Sequence, residues 1–268
     1  MDKRSSKIRE IIYPFGCSVT QRVKQVKQPR GGYLSPRVFD TYSLGSGLED
    51  LNPKENVHGA LVGLTVDYLT RFMTGTPVDE AFRISLMGSE IIGMFDKASN
   101  LVEGIKGLDN DSIINAVKLT GFDVVRRVGI MGYKPVEDIQ PDIPTIENIK
   151  TMVGRTLVFL EQYGPKVLDG FTFEGAYTDI IVSGDGDFIT SDTLWDLKVS
   201  KQRILKEHTL QLLVYWRMGL RSIHTEFKSI QYLGIFNARK NEVYRISVDK
   251  IPAEVIHEID TGVIGYMD

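Results

Sequence analysis

The chain has 268 residues, 42% hydrophobic and 25% charged, with a formal net charge of −3. That balance suits a globular chain able to bury a core, and its overall charge does not advertise a nucleic-acid partner. No apolar run approaches the roughly 18 residues that span a bilayer, and the single cysteine, Cys17, excludes an internal disulfide, a Cys-built zinc site and an iron–sulfur cluster.

The opening MDKRSSKIREIIYPFG has no apolar h-region and no small-residue cleavage site, so no secretory signal is expected. A reducing, cytoplasmic setting is the simplest inference. Residues 1–30 concentrate Lys3, Arg4, Lys7, Arg9, Arg22, Lys24, Lys27 and Arg30 against Asp2 and Glu10. Such a cluster is either a solvated basic face or an arm that meets phosphates. Ser18 to Gln21 fits a capping box, with Val19, Val23 and Val26 following at helical spacing.

PRGGYLSP (29–36) is a turn-rich break. In the next segment Val57, Ala60, Leu61, Leu64, Tyr68, Leu69 and Phe72 predict one apolar helical stripe, ended by Gly75 and Pro77. Residues 78–98 predict a further helix, and another starts near Asp111. After a proline-punctuated connection (134–144), Thr145 is expected to cap a helix to about Tyr163, closed by Gly164-Pro165.

Beyond Gly170 the texture turns β-branched and aromatic. FTFEGAYTDIIVS and DFITSDTLWDLKVS predict strands, HTLQLLVYWRMG (208–219) a helix, and residues 229–248 a hairpin turned near Arg239–Asn241. The order predicts an α/β fold: a central mixed sheet in the C-terminal half (166–268), a mainly helical part (1–165) before it, and one domain over 1–268.

Asp196 and Lys198 lie two apart on a strand and so share a face. Their partner depends on the hairpin. With Ser191-Asp192 as the turn, opposite positions sum to about 383 and Asp187 faces Asp196. With GDGD (184–187) as the turn, Asp179 becomes the alternative acid and misses Asp196. The first register is preferred. It sets two carboxylates side by side, an arrangement that repels unless a cation lies between them. The plainer alternative is an Asp196–Lys198 strand salt bridge with Asp187 in a solvated turn. Gln211 and Tyr215, at i and i+4, share a face of the following helix and suit either phosphate contacts or the bracing of a lysine. Trp195 should point to the opposite side of the sheet, towards the core.

Gly184-Asp-Gly-Asp187, Asp196-Leu-Lys198 and Gln211-Leu-Leu-Val-Tyr215, in that order, resemble the PD-(D/E)XK nuclease superfamily, and within it the RecB-type exonuclease-like branch. The resemblance covers about residues 171–220. It implies a restriction-endonuclease-like core and a Mg²⁺- or Mn²⁺-dependent DNA nuclease. In that reading Asp187, Asp196 and the Leu197 carbonyl hold the metal, Lys198 positions the attacking water, and Gln211 and Tyr215 brace the lysine or grip the backbone. Lys201 and Arg203 become candidate phosphate contacts, and His58 a further ligand from an upstream helix, with Glu55 the alternative acid. His208 has no counterpart in the pattern; a structural role or a phosphate contact suits it better. No Pro precedes Asp187, and no nucleotide-binding G-x-x-x-x-G-K-[ST] loop is present, so unwinding would need a helicase or recombination partner. A sequence- or structure-specific endonuclease and a catalytically silent DNA-binding or regulatory protein are the competing functions.

Overall fold

The computed structural model describes residues 16–45 and 50–267. Lys3, Arg4, Lys7 and Arg9 of the basic cluster lie outside the described residues. The short strand β1 (Cys17–Ser18) leads into α1 (Val19–Gln25) through the expected capping box, Gln21 N–H donating to Ser18 Oγ and Ser18 N–H to Gln21 Oε1. Arg22 is tied into the fold, its guanidinium donating to the carbonyls of Gly262 and Val263.

After β2 (Asp40–Ser43) the chain enters a helical array: α2 (Gly59–Met73), α3 (Val78–Ala81), α4 (Arg83–Ile91), α5 (Phe95–Glu103), α6 (Asn110–Thr120), α7 (Asp123–Arg127) and α8 (Ile143–Tyr163). The single helix expected over 78–98 is broken, and Gly93 at φ +68° occupies the second break, a left-handed geometry that needs glycine. Asp142, not Thr145, caps α8. Its carboxylate accepts from Thr145 N–H at 3.0 Å, and Pro144 falls in the first turn, where its missing N–H costs nothing. In α2 the fully buried positions are Val62, Thr65, Val66 and Leu69. The expected stripe is therefore rotated: Ala60 is exposed, and Leu61 and Leu64 are only partly covered.

The sheet joins β3 (Leu168–Thr172), β5 (Asp185–Ile189), β6 (Thr193–Lys198), β7 (Tyr232–Asn237) and β8 (Glu242–Ser247) to β2, in the order β2-β8-β7-β6-β5-β3. β4 (Ile181–Ser183) pairs instead with β1 in a parallel ribbon. The six-stranded sheet is mixed. β6 and β7 run parallel because α9 (Lys206–Gly219) carries the chain back between them, while the other neighbours are antiparallel. The fold is thus α/β, with the sheet in the C-terminal half and helices before it, except that the edge strand β2 comes from the N-terminal half. An unexpected C-terminal helix, α10 (Ala253–Glu258), runs into a π-helical turn (Ile259–Ile264) and is tied down where Arg217 forks Asp260 at 2.9 and 2.7 Å.

Each face of the sheet carries its own core. One, with Leu194, Leu233 and Ile235, is covered by α9, α1 and the C-terminal turn. The other, with Phe188, Trp195 and Phe236, is covered by α8, with α2 and α6 packed behind. Trp195 does lie in the core: Phe159 of α8 meets it edge-on at 4.8 Å and stacks on Phe236 at 4.3 Å. Phe159→Ala should therefore destabilise the protein by about 3–5 kcal/mol in urea unfolding. Its half-exposed neighbour Val158, changed to Ala, should shift stability by less than about 0.5 kcal/mol; equal effects would contradict this packing.

Candidate active site

The β5–β6 hairpin turns tightly, Thr190 N–H donating to the Thr193 carbonyl at 3.0 Å across Ser191-Asp192. Its ladder holds two pairs, Phe188 with Trp195 and Ile189 with Leu194, which is the first of the two registers. One step further, that register sets Asp187 against Asp196, and there the strands part. Leu197 N–H, instead of continuing the ladder, donates to Asp187 Oδ2 at 2.6 Å. A strand residue turns its N–H and C=O to the same side, so the Leu197 carbonyl also faces Asp187. Asp179 is elsewhere, exposed in the turn closed by Thr178 N–H to Ile181 O.

Asp196 is 2% exposed. Lys198 Nζ lies 3.0 Å from its Oδ1 and 2.7 Å from its Oδ2, but only the first has hydrogen-bond geometry. Asp196 Oδ2 is thus a buried carboxylate oxygen that receives no hydrogen bond. Lys198 also donates to Gln211 Oε1 at 3.2 Å, and Gln211 Nε2 to Tyr215 Oη at 2.7 Å. The amide's orientation follows from chemistry, because an ammonium can only donate. α9 thereby holds the lysine through a Tyr215–Gln211–Lys198–Asp196 chain.

Burial is the main reason the Asp187 carboxyl is pushed up to about 8; Asp196 and Asp67 add to it by repulsion, against the pull of Lys198 and Arg71. Burial opposes the Lys198 ammonium, yet Asp196 and Asp187 outweigh it and hold its pKa above the ordinary lysine value. Burial, and then the negative charge of Asp185, keep Tyr215 a neutral phenol well above its usual range. The pair of acids therefore shares too much negative charge for its surroundings, with one fixed cation beside it.

Three charges reach this cluster from the helical half, and the sequence reading did not assign them. Asp67 of α2 repels Asp187, and one turn on Arg71 pairs with Asp67 at 3.1 Å. Arg127 of α7 comes within 3.9 Å of Asp185 on β5. The available signal for the first two was an Asp–Arg pair at i, i+4 inside an otherwise apolar helix. Arg127 left no local signal. Asn237, fully buried at the end of β7, donates to the carbonyls of Ser200 and Gln202 and so shapes the loop after β6.

The remaining expected residues are less central. His58 caps α2, accepting from Ala60 N–H at 3.3 Å, and is exposed. Asp67 lies nine residues, about 13 Å of helix, beyond it. Glu55 is spent on a bidentate pair with Arg239 at 2.8 and 2.9 Å. Lys201 and Arg203 are exposed on the loop after β6. His208 Nδ1 accepts from Leu205 N–H, so its Nε2 carries the proton of the neutral ring; burial, aided by Lys198, depresses its pKa.

Among the described residues, no three His, Cys, Asp or Glu side chains are grouped to hold a metal ion. The donors that fit one are two carboxylates and a carbonyl, and the repulsion of Asp187 by Asp196 is the observation that favours the fit. No helix of the described residues is long and apolar enough to cross a membrane. Comparison with family models, curated proteins and solved structures found no match.

A raised carboxyl pKa has a definite sign. Between about pH 4 and pH 8 the folded chain keeps a proton on Asp187 that the unfolded chain has lost, so stability falls as pH rises. Without metal, the Tm of the wild type should drop across this window more than that of Asp187→Asn. A flat difference between the two would show that Asp187 is not so perturbed.

Proposed function

We propose that the protein is a divalent-metal-dependent DNA nuclease of the PD-(D/E)XK type, on a restriction-endonuclease-like core. The observation that carries the reading is the meeting of Asp196, buried and paired to a braced Lys198, with a repelled Asp187 at the opened end of a hairpin. A strand salt bridge alone would leave Asp187 solvated, yet burial and like charge raise it. Strand, hairpin, strand and helix follow in the order the resemblance implies.

Asp187, Asp196 and the Leu197 carbonyl would hold Mg²⁺ or Mn²⁺, which when bound supplies electrophilic polarisation of the phosphodiester. The chain's own groups do the rest. Lys198, cationic at neutral pH, orients the attacking water and offsets negative charge on the phosphoryl oxygens. Gln211 fixes the direction of the ammonium, and Tyr215 fixes Gln211. Leu197 N–H restrains Asp187, so its carboxylate keeps its place when its proton leaves. His208 has an Nε2–H to offer a phosphate oxygen. An exonuclease acting in repair, recombination or a phage context is the preferred form, with a helicase or recombination protein as its natural partner. The silent DNA-binding module gains some support from Lys198, which lies close to both Asp196 oxygens.

Purified protein with Mg²⁺ or Mn²⁺ should degrade linear DNA, EDTA should stop it, and Asp196→Asn or Lys198→Ala should lower the rate at least about 100-fold. Gln211→Ala, which only loosens the lysine, should cost about 10–100-fold. Discrete products from circular DNA would mark an endonuclease. Metal-independent binding without cleavage would reject catalysis in favour of the silent module.

A binding assay separates metal from catalysis. A cation must displace the Asp187 proton, so its stabilisation of the fold should grow from pH 6 to pH 8. Thermal melts with Mn²⁺ should show that growth in the wild type and lose it in Asp187→Asn.

A further inference from the structure

Between α2, α7 and the loop that follows α7 lies a cavity of about 510 Å³. Its walls are aliphatic: Leu61, Leu64, Val124 and Ile139. These include the part of the α2 stripe that the core leaves uncovered. At its rim stand Arg127, Lys134 and His58, against the single exposed acid Asp138. The other acid in the lining, Asp123, is 1% exposed and already accepts from Tyr68 Oη at 2.6 Å, Ser85 Oγ at 2.5 Å and Arg127 Nε at 3.3 Å.

Arg127 is the joint between this cavity and the acidic cluster. Its Nε donates to Asp123 and its Nη2 to Tyr68 Oη, while Nη1 lies 3.9 Å from Asp185, two residues before Asp187 on β5. A ligand seated here would have its anionic end within reach of Arg127 and its apolar body between the aliphatic walls. The size falls within the range of small-ligand pockets, and burial of a flat apolar ring with an adjacent phosphate suits both wall and rim.

Resting on the nuclease reading above, we infer that the cavity receives one unstacked base of the DNA strand next to the cleaved bond, with the phosphate of that nucleotide on Arg127. A strand held in this way is bound by a base and a phosphate together, and the phosphodiester is presented to Asp187 and Asp196 in a fixed register. The cavity carries no Phe, Tyr or Trp platform and its surface is mostly apolar, so it accepts bases chiefly by shape and apolar contact.

The test uses the full chain in EDTA, so that binding is seen without cleavage. 2-Aminopurine is placed at successive positions of an oligonucleotide, with anisotropy of a distant dye reporting total binding. One position should brighten on binding as its base leaves the stack. Ala60→Trp, at an exposed position on the cavity wall, should abolish that change while the dye still reports a complex; Arg127→Gln, with Arg127→Lys as the milder variant should the first not fold, should weaken binding as well. With metal restored, the wild type should cleave DNA carrying a base at that position about tenfold faster than DNA abasic there, and in Ala60→Trp the ratio should approach one. Equal fluorescence at every position, or a signal unchanged in Ala60→Trp, would overturn the base pocket while cleavage of either substrate leaves the nuclease reading intact. Absence of any DNA complex would overturn the pocket, and absence of cleavage with metal on every substrate would instead count against the nuclease reading alone.

Discussion

The carboxylate of Asp187 interrupts the β5–β6 ladder, and the geometry of the candidate site follows from that interruption. A continued ladder would pair Leu197 with the strand and leave no room between β5 and β6. Because Asp187 takes the Leu197 N–H instead, the strands part, and two acids meet, with the Lys198 ammonium against both Asp196 oxygens, in a place that water only partly enters. An opening of this kind is unfavourable for a sheet on its own account. It persists because Trp195, one residue before Asp196, is locked between Phe159, Tyr163 and Gly234 on the other face.

Charge in the site is arranged in shells. Lys198 is the innermost cation and cannot leave, since Gln211 and Asp196 hold it from two sides. Arg71 and Arg127 stand further out, each answering an aspartate of its own before it touches the cluster. The helical half is therefore more than a cover for the sheet. α2 contributes Asp67 and Arg71 to one side of the acidic pair, α7 contributes Arg127 to another, and the cavity between these helices opens beside it. The near balance of the chain's charges therefore hides a local gathering of cations around the acids.

Much of the sheet half was legible in the amino-acid sequence. Alternation and turn chemistry pointed to the hairpin but left two registers; the structure takes the one with Ser191-Asp192 as the turn, and with it the meeting of Asp187 and Asp196. The i, i+4 relation of Gln211 and Tyr215 was likewise local. These features depend on the period of a strand or helix over a few residues, and neighbouring chain is enough to set them. Short-range signals also misled. Thr145 looked like a cap, but Asp142 lies better placed before Pro144, and the α2 stripe was displaced because a second helical layer buries a wider face than one stripe requires.

What the sequence by itself determined is the identity and order of the central groups: acid, acid, lysine, glutamine and tyrosine, on strand, strand and helix. Only the tertiary structure decided which distant residues join them. His58 and Glu55 were drawn in by residue type, yet His58 accepts from Ala60 N–H at the start of α2 and Arg239 claims Glu55. Asp67, Arg127 and Asn237 were placed at the site by packing of α2, α7 and β7 around the sheet. The strand β2 and the C-terminal turn found partners more than a hundred residues away. No local periodicity encodes such meetings, because they are set by how buried faces match after the elements have formed.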